Sequence, residues 1–187
     1  AAGLHRPVAP SPTSRVGRDR LDPAPARRDN DLMVTSTIVR VQRAYACTAD
    51  AVYDAWLDPG MARRFWFATA QGDIVRCDIE PGVNGSFTIV DRRPLEAASD
   101  QFIEVEHTGR FLQLDRPRRI AFSFGLPQFQ SHETTVIIDI EPQGDGCELT
   151  LRHDLGPMDE DTRETLEGAE QGWTLILANL DSALNSS

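Results

Sequence analysis

The strongest constraint on the fold is a run of hairpin-forming segments that ends in one long amphipathic helix. Short β-rich stretches between residues 72 and 154 are separated by turn sequences such as Asn84-Gly85 and Gly144-Asp145-Gly146, which are typical of β-hairpins. After Pro157, apolar residues recur at spacings of three and four, the period of a helix with one buried face. Consecutive hairpins predict an antiparallel sheet whose apolar face must be covered. Of the predicted helices, only the terminal one is long enough to cover it.

The segments before and within this sheet complete the predicted fold. A first strand is predicted over 35–47, Thr48 can cap a short helix, and Asp58-Pro59 ends that helix and begins another. Six further strands are predicted at 72–80, 86–93, 101–114, 118–124, 132–141 and 147–154. The pattern therefore predicts an α+β fold. Its antiparallel sheet of about seven strands curls around a long C-terminal helix, with two short helices after the first strand.

The first 33 residues differ from the rest in composition. They are rich in Pro, Ala, Arg and Asp and hold very few large apolar side chains, so they cannot bury enough surface to offset the entropy of ordering. We predict a disordered leader over 1–33 and one domain over 34–187. Met33 directly precedes the first patterned segment and is a candidate native start.

Charge and composition argue against several classes of function. The 19 basic residues are all arginine and are opposed by 29 acidic residues, a net charge of −10. Nucleic-acid affinity needs clustered positive charge, and Schiff-base chemistry needs a lysine. No apolar stretch reaches the length of a membrane span, and three widely spaced cysteines without a CxxC motif are typical of reduced thiols. We expect a cytoplasmic monomer or homodimer without a nucleic-acid or membrane partner.

Several segments carry a resemblance to a known superfamily. In order along about residues 38–185, the chain contains RAYACTADAVYDAWLDPGMARRFW, CDIEPGVNGSF, HTGRFLQLDRPRRIAFSF, TTVIIDIEPQGDGCELTLRHDL and EGAEQGWTLILANL. These segments resemble the START-like (SRPBCC) superfamily, in particular the bacterial branch homologous to the C-terminal domain of the activator of heat-shock-protein-90 ATPase. The D-A-W-x-D-P segment and the late G-W are the most telling. None is a catalytic signature, so the resemblance implies the helix-grip fold rather than an activity.

The resemblance also implies a cavity between the concave face of the sheet and the long helix, often used for an apolar or aromatic small molecule. Strand alternation indicates which side chains face it: in FIEVEHTGRF, the polar His107 falls on the apolar side. His132 is predicted to face the same interior. The predicted ligand-binding residues are Trp66, Phe67, Val105, His107, Phe111, Phe124, Ile138, Leu151, His153 and Trp173.

Three functions fit this prediction. The first is non-catalytic binding of a small hydrophobic molecule for transport, sequestration or sensing, without a cofactor. The second is a polyketide cyclase- or hydrolase-type enzyme, with His107 or His153 as general base and Arg110 or Arg76 holding an enolate. The third is a chaperone ATPase cofactor, although eukaryotic activators carry an additional N-terminal domain that residues 1–32 cannot replace.

The inward histidines do not predict a metal site. They come from three different strands at different heights, without HxH or HExxH spacing, whereas zinc needs three or four convergent ligands. A neutral, hydrogen-bonded core histidine is the default interpretation. Gly168 and Gly172 each cost ~1 kcal/mol relative to alanine within a helix. They predict either a close approach of the sheet or a bend of the helix beside the cavity.

Overall fold

The computed structural model describes residues 36–95, 100–129, 133–157 and 163–186. The predicted leader and His132 lie outside the described residues. Seven strands and three helices occur in the described part of the chain, and they confirm the predicted helix-grip fold. In chain order they are β1 Ser36–Tyr45, α1 Ala49–Leu57, α2 Pro59–Phe65, β2 Asp73–Ile79, β3 Ser86–Pro94, β4 Phe102–Asp115, β5 Arg119–Gly125, β6 Thr134–Gln143, β7 Gly146–Pro157 and α3 Arg163–Asn185.

The strands form one sheet in the order β1-β7-β6-β5-β4-β3-β2, and every neighbouring pair is antiparallel. Strands β2 to β7 follow one another as hairpins, and β1 joins at the free edge of β7. This order places the chain's first strand beside its last, so the sheet can curl around α3.

The two short helices begin where side-chain caps are available. The Thr48 hydroxyl accepts a hydrogen bond from the Ala51 N–H at 3.3 Å, and the Asp58 carboxylate accepts one from the Met61 N–H at 2.8 Å. Pro59 disfavours helical backbone at Asp58, which ends α1. Both caps confirm the sequence prediction.

The hairpin between β2 and β3 is longer than the Asn84-Gly85 signal suggests. Its connection spans residues 80–85, because Ile79 pairs with Phe87 across the sheet. Asn84 adopts the left-handed φ of 68° that the signal predicts. Its N–H, however, donates to the Phe111 carbonyl of β4 at 2.8 Å. The turn is therefore tied to the third strand rather than closed as a two-residue loop.

The interior is filled at one end by aromatic side chains and is closed along its length by α3. Trp66 lies at the centre of the aromatic group, with ring centroids 4.8 to 5.4 Å from those of Trp56, Phe87 and Phe122. The buried face of α3 carries Trp173, Ile176, Leu177, Leu180 and Ala183.

Polar contacts fix α3 against the strands and loops that it covers. The Tyr45 hydroxyl donates to the Leu177 carbonyl at 3.0 Å, and the Asn179 amide donates to the Ala68 carbonyl at 2.8 Å. The cysteines Cys47, Cys77 and Cys147 are unpaired thiols. In the part of the chain that the structure describes, no helix has the length and apolar character needed to cross a membrane.

Candidate functional site

A cavity of about 310 Å³ lies between the N-terminal half of α3, the loop after α2 and the inner faces of β3, β4, β5 and β7. Five of the ten predicted ligand-binding residues line it: Phe67, His107, Phe124, His153 and Trp173. Most other lining side chains are apolar, among them Leu126, Leu155, Ala169, Leu175 and Ile176. The cavity is therefore an apolar and aromatic space with a few polar groups in its wall.

The other five predicted residues lie in the packed core and do not line the cavity. Each is at most 3% exposed: Trp66, Val105, Phe111, Ile138 and Leu151. All of them except Val105 belong to the main hydrophobic cluster. The four of them on strands lie on the inward faces as predicted, but the aromatic group around Trp66 fills the interior beside Phe111. Alternation along a strand identifies the inward face. Whether an inward residue lies in the packed core or lines the cavity depends on side chains from other elements.

His153 is fully hydrogen-bonded. The Trp173 indole N–H donates to its Nδ1 at 2.9 Å, so the neutral ring carries its proton on Nε2. Nε2 lies 2.7 Å from the Thr134 hydroxyl, which in turn donates to the Phe124 carbonyl at 3.0 Å. Burial lowers the pKa of His153 to about 4. Because neither nitrogen has a free lone pair, His153 has the contacts of a structural core histidine rather than of a general base.

His107 differs because one ring nitrogen has no partner. Its Nε2 lies 2.7 Å from the Asp91 carboxylate, whose residue is only 1% exposed. A carboxylate accepts, so Nε2 carries the proton and Nδ1 presents a lone pair. Nδ1 is buried without a hydrogen bond among the described residues. Burial lowers the pKa of His107, and the hydrogen bond and charge of Asp91 oppose that effect.

Two further residues complete the polar part of the wall. Arg93 Nε lies 3.0 Å from Asp91 Oδ2, an ion-pair distance without the alignment of a hydrogen bond. The Thr69 hydroxyl is buried and has no hydrogen-bond partner among the described residues. Three polar groups at this cavity, on Thr69, Asp91 and His107, therefore have an atom whose hydrogen-bonding capacity is unused.

Sequence reasoning missed Thr69, Asp91 and Arg93, although a signal existed for the last two. In the strand SFTIVDRR, Asp91 and Arg93 have the same parity as Phe87 and Ile89, which places them on the apolar inner face. A buried aspartate on such a face needs a partner, and the neighbouring strand supplies His107. Thr69 lies in a loop, where alternation gives no information.

Phe67 covers His107 and has a strained backbone. Its ring is nearly parallel to the imidazole, with centroids 3.6 Å apart and an interplanar angle of 6°. Its φ of 61° is in the left-handed region, which costs a bulky residue on the order of 1–3 kcal/mol. The next residue, Ala68, is held by the hydrogen bond from Asn179 on α3. Such strain is often found at binding sites.

The structure corrects one explanation for the helix glycines. A Cβ added at Gly168 or Gly172 would meet nothing within 4 Å, so the sheet does not approach α3 closely there. Both glycines instead line the cavity, and their small size leaves it open.

Replacing Gly172 with alanine is therefore expected to stabilise the fold by about 0.5–1 kcal/mol, because alanine has the higher helix propensity and meets no steric obstacle. Urea unfolding of the variant and the parent protein measures the difference. A loss of stability would show that this position tolerates no side chain.

The residues proposed to hold an enolate lie elsewhere. Arg76 pairs with Asp78 at 2.6 Å, Arg110 donates to the Asn84 carbonyl at 2.6 Å, and neither lines the cavity. Both have the opposite strand parity to the inward residues. Among the described residues, no group of three or more His, Cys, Asp or Glu side chains is arranged to hold a metal ion.

The fold and this site define a class of protein, in which a curved antiparallel sheet and a C-terminal helix enclose a cavity. The chain belongs to the family described as activator of Hsp90 ATPase homolog 1-like proteins, whose family model matches residues 46–185. This confirms the resemblance seen in the sequence. The comparison with curated proteins gives no match.

Solved structures show the same fold at low sequence identity. A protein from Rhodobacter sphaeroides is 21% identical with a TM-score of 0.65, over 80% of this chain and 93% of that one. The AHSA1-like protein from Aeromonas hydrophila is 18% identical with a TM-score of 0.62, over 80% and 93%. A Staphylococcus aureus protein of unknown function is 13% identical with a TM-score of 0.66, over 81% and 95%. Such likeness establishes the fold alone.

Proposed function

We propose that this protein binds one small, uncharged and mainly apolar molecule in the cavity, as a carrier, a sequestering protein or a sensor. The observation that carries the proposal is the cavity itself, walled by Phe67, Phe124 and Trp173 and by aliphatic side chains, with a small polar group at Asp91 and His107. Ligand sites typically combine an apolar wall with a few placed polar groups that fix orientation.

The size of the cavity limits the ligand. Its volume of about 310 Å³ is roughly twice that of the ~150 Å³ apolar cavity that accommodates one benzene ring. A molecule of about two rings therefore fits. The aromatic rings of the wall favour a planar guest, because offset and edge-to-face contacts add to the burial of apolar surface.

The geometry argues against an enzyme that uses His153 as its general base. Both nitrogens of His153 are engaged by Trp173 and Thr134, which leaves no general base at that position. Arginine side chains proposed to hold an enolate are on the outer face. A role as a chaperone ATPase cofactor and a cytoplasmic location remain predictions from the sequence, and the latter agrees with the three unpaired cysteines.

Titration with prodan, an uncharged naphthalene dye whose emission responds to polarity, tests the proposal. We expect saturable binding with a blue-shifted emission. Gly172→Leu, which adds a side chain to the cavity wall, is expected to weaken binding about tenfold, a loss of ~1.4 kcal/mol.

Gln171→Leu is the matched control, because Gln171 is the exposed neighbour on α3 and does not line the cavity. It should bind prodan as the parent protein does. Equal affinity in both leucine variants, or absence of saturable binding in the parent protein, would overturn the proposed site.

A further inference from the structure

The geometry points to a ligand that carries a neutral, phenol-type hydroxyl group, which donates a hydrogen bond to Nδ1 of His107. This inference rests on the proposed function and names the chemical group that the polar part of the wall recognises. It follows from the tautomer of His107, the mainly apolar cavity around it and the position of the ring in the cavity wall.

The tautomer is set by Asp91. The carboxylate is buried and lies 2.7 Å from Nε2, so it accepts the Nε2 proton and leaves Nδ1 as an acceptor. The Trp173 indole N–H donates to Nδ1 of the other cavity histidine, His153, whereas Nδ1 of His107 is buried and has no such donor among the described residues. A buried acceptor without a partner is unfavourable, and a ligand donor removes that penalty.

The apolar surroundings select a neutral donor. A carboxylate on the ligand could not donate to Nδ1, and it would lose its hydration in the cavity. An ammonium group could donate, but it would lose its hydration in this mainly apolar cavity. A hydroxyl avoids both costs. It can also accept a hydrogen bond from the Thr69 hydroxyl, a second group of this wall that is buried without a partner among the described residues and that has a proton to donate.

Phe67 packs on one face of this histidine. Its ring lies 3.6 Å from the imidazole and nearly parallel to it, so a ligand meets the edge of the imidazole rather than that face. The aromatic wall formed with Phe124 and Trp173 suits the ring of a phenol.

Paired ligands test the inference. The affinities of 2-naphthol and 2-methylnaphthalene, which differ by a hydroxyl in place of a methyl group, are measured by calorimetry for the parent protein and for Asp91→Asn. In the variant, Arg93 attracts the amide oxygen, so the amide N–H₂ faces His107 Nε2 and the ring proton moves to Nδ1. Nδ1 then donates and no longer accepts.

We expect the affinity ratio of 2-naphthol to 2-methylnaphthalene to fall about tenfold in Asp91→Asn. Binding of 2-acetylnaphthalene, whose carbonyl accepts, should strengthen in the same variant. Thr69→Val, which is similar in shape and leaves Asp91 intact, should weaken 2-naphthol severalfold and leave 2-methylnaphthalene unchanged. The Thr69→Val variant therefore tests the inference even if Asp91→Asn fails to fold.

The outcomes separate the two proposals. An unchanged ratio in folded Asp91→Asn, or equal effects of Thr69→Val on both ligands, would overturn the hydroxyl inference while the cavity remains a binding site. Failure of both naphthalenes and of prodan to bind the parent protein would overturn the proposed function, and the inference with it.

Discussion

Replacing Trp66 with alanine is expected to lower the free energy of unfolding by about 3–5 kcal/mol. Trp66 has no exposed surface, and its ring contacts those of Trp56, Phe87 and Phe122. Removal of the indole leaves a void that these rings cannot close, because they are held by different elements of the fold. Urea unfolding followed by circular dichroism near neutral pH measures the loss.

The matched control is Phe129→Ala. Phe129 is 62% exposed, so its removal should change the free energy of unfolding by no more than about 0.5 kcal/mol. A cost below about 1 kcal/mol for Trp66→Ala would contradict the assignment of Trp66 to the packed core and would return it to the ligand-binding wall.

Stability is expected to fall as the pH is lowered from about 6.5 towards 4, by about 3 kcal/mol from His153 alone. Burial lowers the pKa of His153 from 6.5 to about 4, so over this range the unfolded chain binds a proton that the folded chain does not. Unfolding is then favoured by acid. The contribution of His153 to the free energy of unfolding is fully present above the pKa of the histidine in the unfolded chain. It is lost as the pH falls through the pKa in the folded protein.

Protonation also has a structural cost at His153. A proton on Nδ1 removes the acceptor for the Trp173 indole N–H, the contact that ties β7 to α3. His107 acts in the same direction, because burial lowers its pKa as well. The carboxyls of Asp54 and Asp154 have lowered pKa values. Their contributions to the free energy of unfolding are therefore lost only when the pH falls below the usual pKa of an aspartate. A change in the free energy of unfolding between about pH 6.5 and pH 5 is therefore assigned to the two histidines.

Urea unfolding at about pH 7.5 and about pH 5, on the parent protein and on His153→Gln, tests this assignment. Glutamine can accept from Trp173 and donate to Thr134, but it does not titrate. We expect the free energy of unfolding of the variant to depend less on pH than that of the parent protein. The pH dependence that is left in the variant is expected to come from His107. The same pH dependence in both proteins would assign the acid sensitivity to other groups.

Local patterns predicted most of the fold. Thr48 and Asp58 were predicted as caps, and each accepts the expected backbone N–H. The Gly144-Asp145-Gly146 turn joins β6 to β7, and alternation placed His107 and Phe111 on the inner face of β4. These features depend on a few neighbouring residues, because capping, turn geometry and strand parity are local properties.

The candidate site depended on contacts that no local pattern contains. His107 and Phe111 share a strand face, yet one lines the cavity and the other lies in the core, because the aromatic group around Trp66 fills only part of the interior. The sequence by itself therefore determined the strands, the helices and their inward faces. The tertiary structure decided which inward residues meet, and so joined His107 to Asp91 and left its second nitrogen open, because side-chain packing between distant segments sets those contacts.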